Sequence, residues 1–585
     1  MQKSYSDTHF HHVKTQNIAS LQQKIRSLLL LNSYWGKFEQ FLKIVLIYSL
    51  LWSVELQAQT IPVGTPVLED VYRRMQLLGE LDSTFSFCSR PFFPMALNNK
   101  KDEFDPDSSL SVNRFTKFDG ILRFGKDKGI IKLLPVTWIQ QYNSVHPAGI
   151  NDGAMIPARG YQTLFSAGVY AQYGPLSIQL RPEIVYAENK VFQGFPGIQP
   201  GETPPILRSQ IDLPERFGDK AYHKLFWGQS SIRLTFGAIS MGLSNENLWW
   251  GPGMQNALLM TNNAPGFNHF TLNTVKPIRT PIGSFEWQII CGRLDSSEYS
   301  VSKSNNWRYL NGVVITYQPK WIPGLFLGAT RSLMSYGKGL KTINEYLPVF
   351  IPLSKKSDGG ASEDALGRDQ LASLFLRWLW TEEHGEIYFE YGREDHAWDI
   401  RDYLLQASHS AAYIIGFNKL IPLKARKGEY IQLNMELTEL ESSSTTINRG
   451  WTIDWYTHTP ITEGYTNLGQ VLGAGIGPGS NLQTVNISWV KSLKMIGIQF
   501  ERFVHNNNYQ YDAIQDIRKN WVDLSAALVG NWNYKNLIFN VKLQFIQEKN
   551  YEWQYKPILT VPQQYWNPTN DYFNFHGQLG ITYRF

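Results

Sequence analysis

From about residue 110 to the end of the chain, apolar and polar residues alternate with a period of two. In the last segment Phe573, Phe575, Leu579, Ile581, Tyr583 and Phe585 fall on one phase, and Asn574, His576, Gln578, Thr582 and Arg584 on the other. The same split separates Leu537, Phe539, Val541, Leu543 and Phe545 from Asn540, Lys542 and Gln544. It recurs as Ile431, Leu433, Met435 and Leu437 against Gln432, Asn434, Glu436 and Thr438, and as Ile387, Phe389 and Tyr391 against Glu386 and Glu390. Upstream, Leu176, Ile178 and Leu180 oppose Ser177, Gln179 and Arg181. Successive side chains of a strand point to opposite faces, so this pattern predicts many strands, each with one apolar and one polar face. Short turns such as Lys126–Gly129 and long segments such as Phe192–Ala221 and Ile351–Gly367 separate them.

A soluble antiparallel sheet with one wetted face gives the same alternation. Three features favour a membrane barrel instead. Long charged residues sit on the polar phase strand after strand, as in an aqueous lumen. Aromatic residues collect on the apolar phase near strand ends. The final strand runs to the aromatic Phe585, which suits a sheet that closes on itself because hydrocarbon leaves no water for an open edge. A C-terminal aromatic also resembles the signal by which the barrel assembly machinery recognises its substrates. The fold class expected is therefore all-β, a large closed antiparallel transmembrane β-barrel with a small N-terminal helical segment.

That helix is read from Leu68, Val71, Tyr72, Met75 and Leu78 at helical spacing, with Glu69, Asp70, Arg73 and Arg74 on the other face. Thr65 is the expected N-cap, Pro66 the first helical residue and Gly79 the stop. Before it, FLKIVLIYSLLWSVELQA at residues 41–58 has the charge, apolar stretch and small-residue exit of a signal peptide, with cleavage expected after Ala58. Met1–Gln40, including His11 and His12, reads as an upstream-extended gene start rather than a cytoplasmic domain. The expected division is residues 1–58 as extension and signal peptide, 59–105 as a periplasmic helical segment and 106–585 as an outer-membrane barrel.

Composition narrows the functional classes. The chain has 585 residues, a formal charge of +5 and 14% aromatic residues, including 19 Trp. No run of about 18 apolar residues follows the leader, which excludes a helical membrane protein. The mixed charges give no basic block for nucleic acid. Aromatic girdles would account for the Trp, Tyr and Phe excess, and so would sugar-stacking surfaces. The two cysteines, Cys88 and Cys291, indicate neither a disulfide framework nor a zinc site. Cys291 falls on an apolar phase and reads as an apolar filler.

No nucleophile elbow, P-loop, zinc helix or dinucleotide fingerprint occurs, so neither a cofactor nor a metal is expected. Gly473–Gly479 is glycine-rich but does not join a strand to a helix, and reads as a flexible loop. Glu386, Glu390, Glu394 and Asp395, and Glu436, Glu439 and Glu441, supply carboxylates that a glycosidase could use in facing pairs. Lumen-lining charge explains them equally well. The densest segment is Asn245–Asn273, NENLWWGPGMQNALLMTNNAPGFNHFTLN. Trp rings stack on sugars and Asn amides both donate to and accept from hydroxyls. The same residues could instead fill the barrel as an inward-folded loop. Trp249, Trp250, Asn256, Asn262, Asn263 and His269 are thus the candidates for a saccharide site or a lumen plug.

At this segment the chain resembles the Wzi-type capsule assembly proteins, in the variant of Bacteroidetes-like bacteria. The phrases that carry the resemblance are WWGPG (Trp249–Gly253), NALLMTNNAPGF (Asn256–Phe267), NDG (Asn151–Gly153) and RGYQ (Arg159–Gln162). Further on are RDYL (Arg401–Leu404), WYTH (Trp455–His458) and GYTNLGQVLGAGIGPGSN (Gly464–Asn481). The resemblance implies a barrel of about eighteen strands in a Gram-negative outer membrane. It also implies a non-enzymatic role in binding capsular or exopolysaccharide and retaining it at the cell surface. The implied partners are that polysaccharide, outer-membrane lipid and, during biogenesis, the barrel assembly machinery. Two other readings of the residues stay open: a porin or substrate-specific channel, from the charged lumen phase, and an outer-membrane hydrolase, from the acid clusters.

Overall fold

In the expected strands it is the polar phase that is buried and the apolar phase that is exposed. Gln432, Asn434, Glu436 and Thr438 are buried while Met435 between them is exposed, and Asn574 and His576 are buried beside a Phe573 that is 61% exposed. A soluble sheet would show the reverse, so this inversion decides for a barrel whose outer surface faces hydrocarbon. The computed structural model describes residues 59–94, 104–106, 120–126, 128–197, 202–203, 210–300, 307–340, 343–350, 367–394, 400–445, 454–555 and 570–585. The expected leader, its cleavage point after Ala58 and the His11–His12 pair lie outside the described residues.

The wall is a closed barrel of 18 antiparallel strands. They are β1 (Gly129–Asn143), β2 (Gly160–Tyr173), β3 (Leu176–Leu180 and Glu183–Ala187), β4 (Tyr222–Phe226 and Ser231–Phe236), β5 (Ile239–Ser244) and β6 (His269–Thr274 and Ile278–Thr280). β7 (Gly283–Leu294), β8 (Arg308–Pro319), β9 (Leu325–Tyr336), β10 (Arg368–Trp380), β11 (Gly385–Glu394) and β12 (Ala411–Pro422) follow. The circuit ends with β13 (Tyr430–Glu439), β14 (Asn481–Lys491), β15 (Lys494–Val504), β16 (Val522–Tyr534), β17 (Leu537–Lys549) and β18 (Tyr572–Tyr583). β18 pairs with β1, Tyr583 opposite Val136 and His576 opposite Asn143, which leaves no seam. The strand ends at Tyr583, two residues short of Phe585.

Connections such as 174–175, 237–238, 492–493 and 535–536 are tight, whereas those at the other end, such as 188–221, 245–268 and 440–480, are long. Short turns mark the periplasmic end of such barrels and long loops the outer end. Exposed rings of Tyr173, Trp321, Trp532 and Tyr534 gather near the short-turn end, as an interfacial girdle does. No helix among the described residues is long and apolar enough to cross a membrane.

The predicted helix is present as α1 (Pro66–Leu77). Its stop is the predicted one: Gly79 adopts φ +72° and the Glu80 amide donates back to Met75 O at 2.9 Å. Its start differs, because the Thr65 hydroxyl donates to Pro62 O at 2.7 Å and caps nothing. Leu68, Val71, Tyr72 and Met75 pack with Ile130, Leu134, Leu493 and Ile538, so the stripe is covered by the short-turn end of the barrel. The opposite face is buried too. Arg73 donates to Glu386 at 2.7 Å, and Arg377 donates to the other oxygen of the same carboxylate at 2.6 Å. The polar phase of β10 and β11 thus serves as an anchor for α1 rather than as the lining of an open channel.

Candidate functional site

Past Ser244 the chain leaves the wall, and the Trp- and Asn-rich segment 245–268 turns into the lumen before returning as β6. Trp250 is 0% exposed, and its Nε1 donates to Gln288 on β7 at 2.9 Å. Trp249 lies under the Arg90 guanidinium, 4.5 Å from the ring centroid, and Arg90 also donates to Gly253 O at 2.9 Å. The WGPG turn is pinned by one side chain. Glu436 on β13 accepts the amides of Met254 at 2.7 Å, Gln255 at 3.1 Å and Asn256 at 2.8 Å, and the Tyr388 hydroxyl at 2.8 Å. Successive N–H groups converging on one carboxylate need a tight backbone. Gly251 supplies φ +134°, and a Cβ there would stand 2.7 Å from Glu390 Oε2.

A second inward loop, 455–476, locks onto the first. The Tyr456 hydroxyl donates to Leu258 O at 2.8 Å while accepting the Ala474 amide at 2.8 Å. Thr261 Oγ1 donates to Gly473 O at 2.6 Å and Asn263 Nδ2 to Val471 O at 3.0 Å. From the 144–159 loop, the Asn151 amide donates to Asn263 Oδ1 at 3.1 Å, and Asn262 Nδ2 donates to Asn151 O at 2.9 Å. The WWGPG, NALLMTNNAPGF, NDG, WYTH and GYTNLGQV phrases therefore meet in space, and what they build is a plug. RDYL does not join them; it lies in the short helix Ile400–Leu405 of another outer loop.

The plug is lopsided because the wall is. On β7 to β12 the lumen phase carries apolar residues, among them Ile290, Leu310, Val314, Phe375 and Ile414, and these pack with Trp250, Leu258, Met260, Tyr456 and Leu472. On β15 to β18 the same phase is polar: Gln499, Glu501, Ser525, Asn531, Asn540, Lys542, Gln544 and Gln578. Apolar plug residues gain nothing from burial against that wall, and two cavities remain along it. The inner one, about 290 Å³, lies beside Asp70, Arg73, Asn531, Asn540 and Lys542. The outer one, about 350 Å³, shares Lys542 and is bounded on the plug side by Asp152, Asn263 and Gln470.

The outer cavity has the groups a sugar needs. His505 stacks on Trp521 with centroids 3.8 Å apart, and Phe503 lies 3.8 Å from His505. Asp523 accepts from the Trp521 indole at 3.0 Å and meets His505 Nε2 at 2.8 Å. Gln544 donates to Glu501 at 2.6 Å and to Ser525 at 2.8 Å, and Lys542 stands 3.8 Å from Glu501. Burial pushes the Asp152 carboxyl up to about 6. Of the six candidates from the sequence, Asn263 lines this cavity; His269 is buried on the lumen phase of β6, and it, Trp249, Trp250, Asn256 and Asn262 do not line it. The aromatic and carboxylate set was missed. Its signal was the aromatic Phe503 and Trp521 breaking the polar phase where Glu501, Asp523 and Glu548 mark the same ends of β15, β16 and β17. Among the described residues no group of three His, Cys, Asp or Glu is placed to hold a metal ion.

The sequence pattern of one family, described as capsule assembly protein Wzi, matches residues 146–550. Among solved structures, the chain superposes on Wzi of Escherichia coli, described as an outer membrane protein involved in group 1 capsule assembly and a carbohydrate-binding β-barrel. That match has a TM-score of 0.57 at 13% identity and covers 90% of this chain and 100% of the other. OccAB2 of Acinetobacter baumannii aligns at TM-score 0.38 and 9% identity over 77% of this chain and 98% of the other. OccK7 of Pseudomonas aeruginosa aligns at TM-score 0.36 and 8% identity over 77% and 98%. The first match shares the fold, and the other two are too remote to carry an argument. No curated protein sequence matches the chain.

Proposed function

The chain belongs to the Wzi family of capsule assembly proteins, and on that premise we propose that it binds capsular or exopolysaccharide and holds it at the cell surface without catalysis. The observation that carries this reading is the outer cavity of about 350 Å³ between plug and wall, a size ordinary for a small-ligand site. Trp521 and Phe503, with His505 stacked between them, give the cavity an aromatic side, while Gln544, Ser525 and the carboxylates offer hydrogen bonds to hydroxyls. The carbohydrate binding stated for the Escherichia coli protein supports the same choice. A packed lumen speaks against a wide pore. Three of the seven acids that suggested hydrolysis are engaged in holding the structure: Glu386 binds Arg73 and Arg377, Glu436 holds the WGPG turn, and Glu390 accepts from Ser373 at 2.7 Å.

The test is binding of the purified full chain to an immobilised panel of bacterial surface glycans, together with Trp521→Ala and Gln544→Ala. Binding by the wild type that both variants lose by tenfold or more is the expected result, since one stacked ring or one satisfied polar group is worth about 1–3 kcal/mol. Wild-type binding unaffected by either substitution removes the cavity from the proposal. No binding to any glycan, with single-channel conductance in planar bilayers, returns the porin reading.

A further inference from the structure

The segment before α1 is threaded into the lumen from its first residues. Gln59 and Thr60 are each 1% exposed, and Ile61 is fully buried. The Ile61 amide donates to Phe92 O at 3.2 Å, and the Thr60 hydroxyl donates to Glu246, just past β5. Glu246 has no acceptor site to spare. It also takes Gln179 Nε2 at 3.2 Å, Ser244 Oγ at 3.0 Å and Arg233 at 2.6 Å, so the roughly four lone-pair sites of a carboxylate are filled.

The charges around Thr60 already balance. Arg233 is paired with Glu246, and Arg181 interacts with Glu183, which accepts from Gln229 at 3.1 Å. All four of these charged side chains are buried. Release of the leader after Ala58 turns the amide nitrogen of Gln59 into an α-ammonium one residue from this network. A buried charge that finds no free partner is costly, and here every nearby acid is engaged. A first residue of glutamine can discard that charge by its own chemistry. The Gln59 side-chain oxygen Oε1 is buried with no hydrogen-bond partner, so the lumen does not hold the amide in its open form through that atom.

We propose that Gln59 is the first residue of the mature protein and is cyclised to pyroglutamate before this segment packs into the barrel. The neutral α-amino nitrogen attacks Cδ of its own side-chain amide. A C–N bond forms, the Cδ–Nε2 bond breaks and the nitrogen's proton leaves with Nε2 as ammonia, so no oxidant, reductant or second substrate is consumed. The resulting lactam is neutral, and the balance between Arg181, Arg233, Glu183 and Glu246 is kept.

Mass spectrometry of the terminal peptide tests this. Outer membranes are dissolved directly in denaturant and free amines are blocked by reductive dimethylation before trypsin, so that cyclisation during later handling cannot mimic the native one. The tryptic peptide Gln59–Arg73 should carry no dimethyl group at its terminus and be lighter by one ammonia. A dimethylated Gln59, or a mature terminus at any other residue, overturns the proposal. Gln59→Ala leaves the Leu-Gln-Ala exit intact and cannot cyclise. Burial disfavours the charged form of its amine, so the opened segment binds the extra proton and local stability rises with pH. In barrels verified as closed by heat-modifiable migration, peptides covering residues 244–248 should exchange hydrogen about tenfold faster in Gln59→Ala than in the wild type at pH 6. At pH 9, above the ordinary α-amino value of about 7.7–8.0, the two should exchange at the same rate. An equal gap at both pH values, or none at either, overturns the reason given for the cyclisation.

Discussion

Replacing Glu436 by Gln changes almost no volume and tests whether one carboxylate holds the plug. Its two oxygens accept Met254, Gln255, Asn256 and the Tyr388 hydroxyl at 2.7–3.1 Å. The better amide orientation keeps an oxygen toward Met254 and Tyr388 and turns the NH₂ toward the Asn256 amide, setting donor against donor. A buried amide without an acceptor costs about 1–3 kcal/mol. The bonds that survive drop from charge-assisted to neutral and lose roughly half their strength. Together these come to about 3–4 kcal/mol of local stability, or two to three orders of magnitude in the opening equilibrium of the turn. Hydrogen exchange in detergent should therefore accelerate by roughly that factor in peptides covering residues 254–258, while peptides from α1 stay slow. Glu383→Gln, on an exposed turn, is the control and should change nothing beyond about 0.5 kcal/mol. Unchanged protection of 254–258 in a properly closed Glu436→Gln barrel would refute the reasoning.

Glu386→Ala should lower barrel stability by about 3–5 kcal/mol, because it strands the buried Arg73 and Arg377 charges; thermal unfolding in detergent followed by circular dichroism measures it. In the outer loops, burial and the neighbouring Glu215 hold the Glu552 carboxyl well above its ordinary range. Its stabilising contribution is complete below the ordinary value of 4.5 and is lost as pH rises through the raised one. Protease nicking of the outer loops should thus be faster at pH 8 than at pH 5, and Glu552→Gln should flatten that difference. Burial pushes the Cys88 thiol up to about 12, so a maleimide at pH 7.5 should leave Cys88 unlabelled in the folded protein, by peptide mapping. Labelling of Cys88 in the closed barrel would mean that the lumen opens.

The wall was legible because a strand's period of two is local: each segment states its own phases, and exposure of residues such as Phe573 and Met435 settles which phase faces out. The helix was legible for the same reason, through Leu68, Val71, Tyr72 and Met75. The plug was not, because its contacts are long-range. Nothing near Met254 announces that the acceptor for its amide is Glu436, 182 residues away. Ile290, Val314, Phe375 and Ile414, apolar residues on a lumen phase otherwise polar, were the available sign that one half of the wall is packed. Thr65 shows a smaller limit, since its hydroxyl had a carbonyl within reach and took it in preference to the helix end.

The lopsided lumen separates two tasks that the sequence runs together. The phrases through which the chain resembles its family, WWGPG, NNAPGF, WYTH and GYTNLGQV, spend their hydrogen bonds on one another and on β7 to β13. The groups that this side of the wall turns to the free volume, Trp521 just before β16, Asp523 on β16, and Lys542 and Gln544 on β17, belong to none of those phrases, which reach the same cavity from the plug side, at Asn263 and Gln470. Holding the plug and lining the free volume therefore draw mainly on opposite walls. Substitutions at Ser525, Lys542 or Gln544 should alter which glycan is bound while leaving exchange at 254–258 untouched, whereas Glu436→Gln should loosen the plug first. Because Lys542 and Gln544 are two residues apart on the same face of β17, Lys542 borders both cavities. Replacing it by Gln removes a cation beside Glu501 without adding bulk. If the outer cavity holds the saccharide, Lys542→Gln should weaken binding of uronate-bearing glycans more than of neutral ones. Equal loss for both classes would place the charge contact elsewhere.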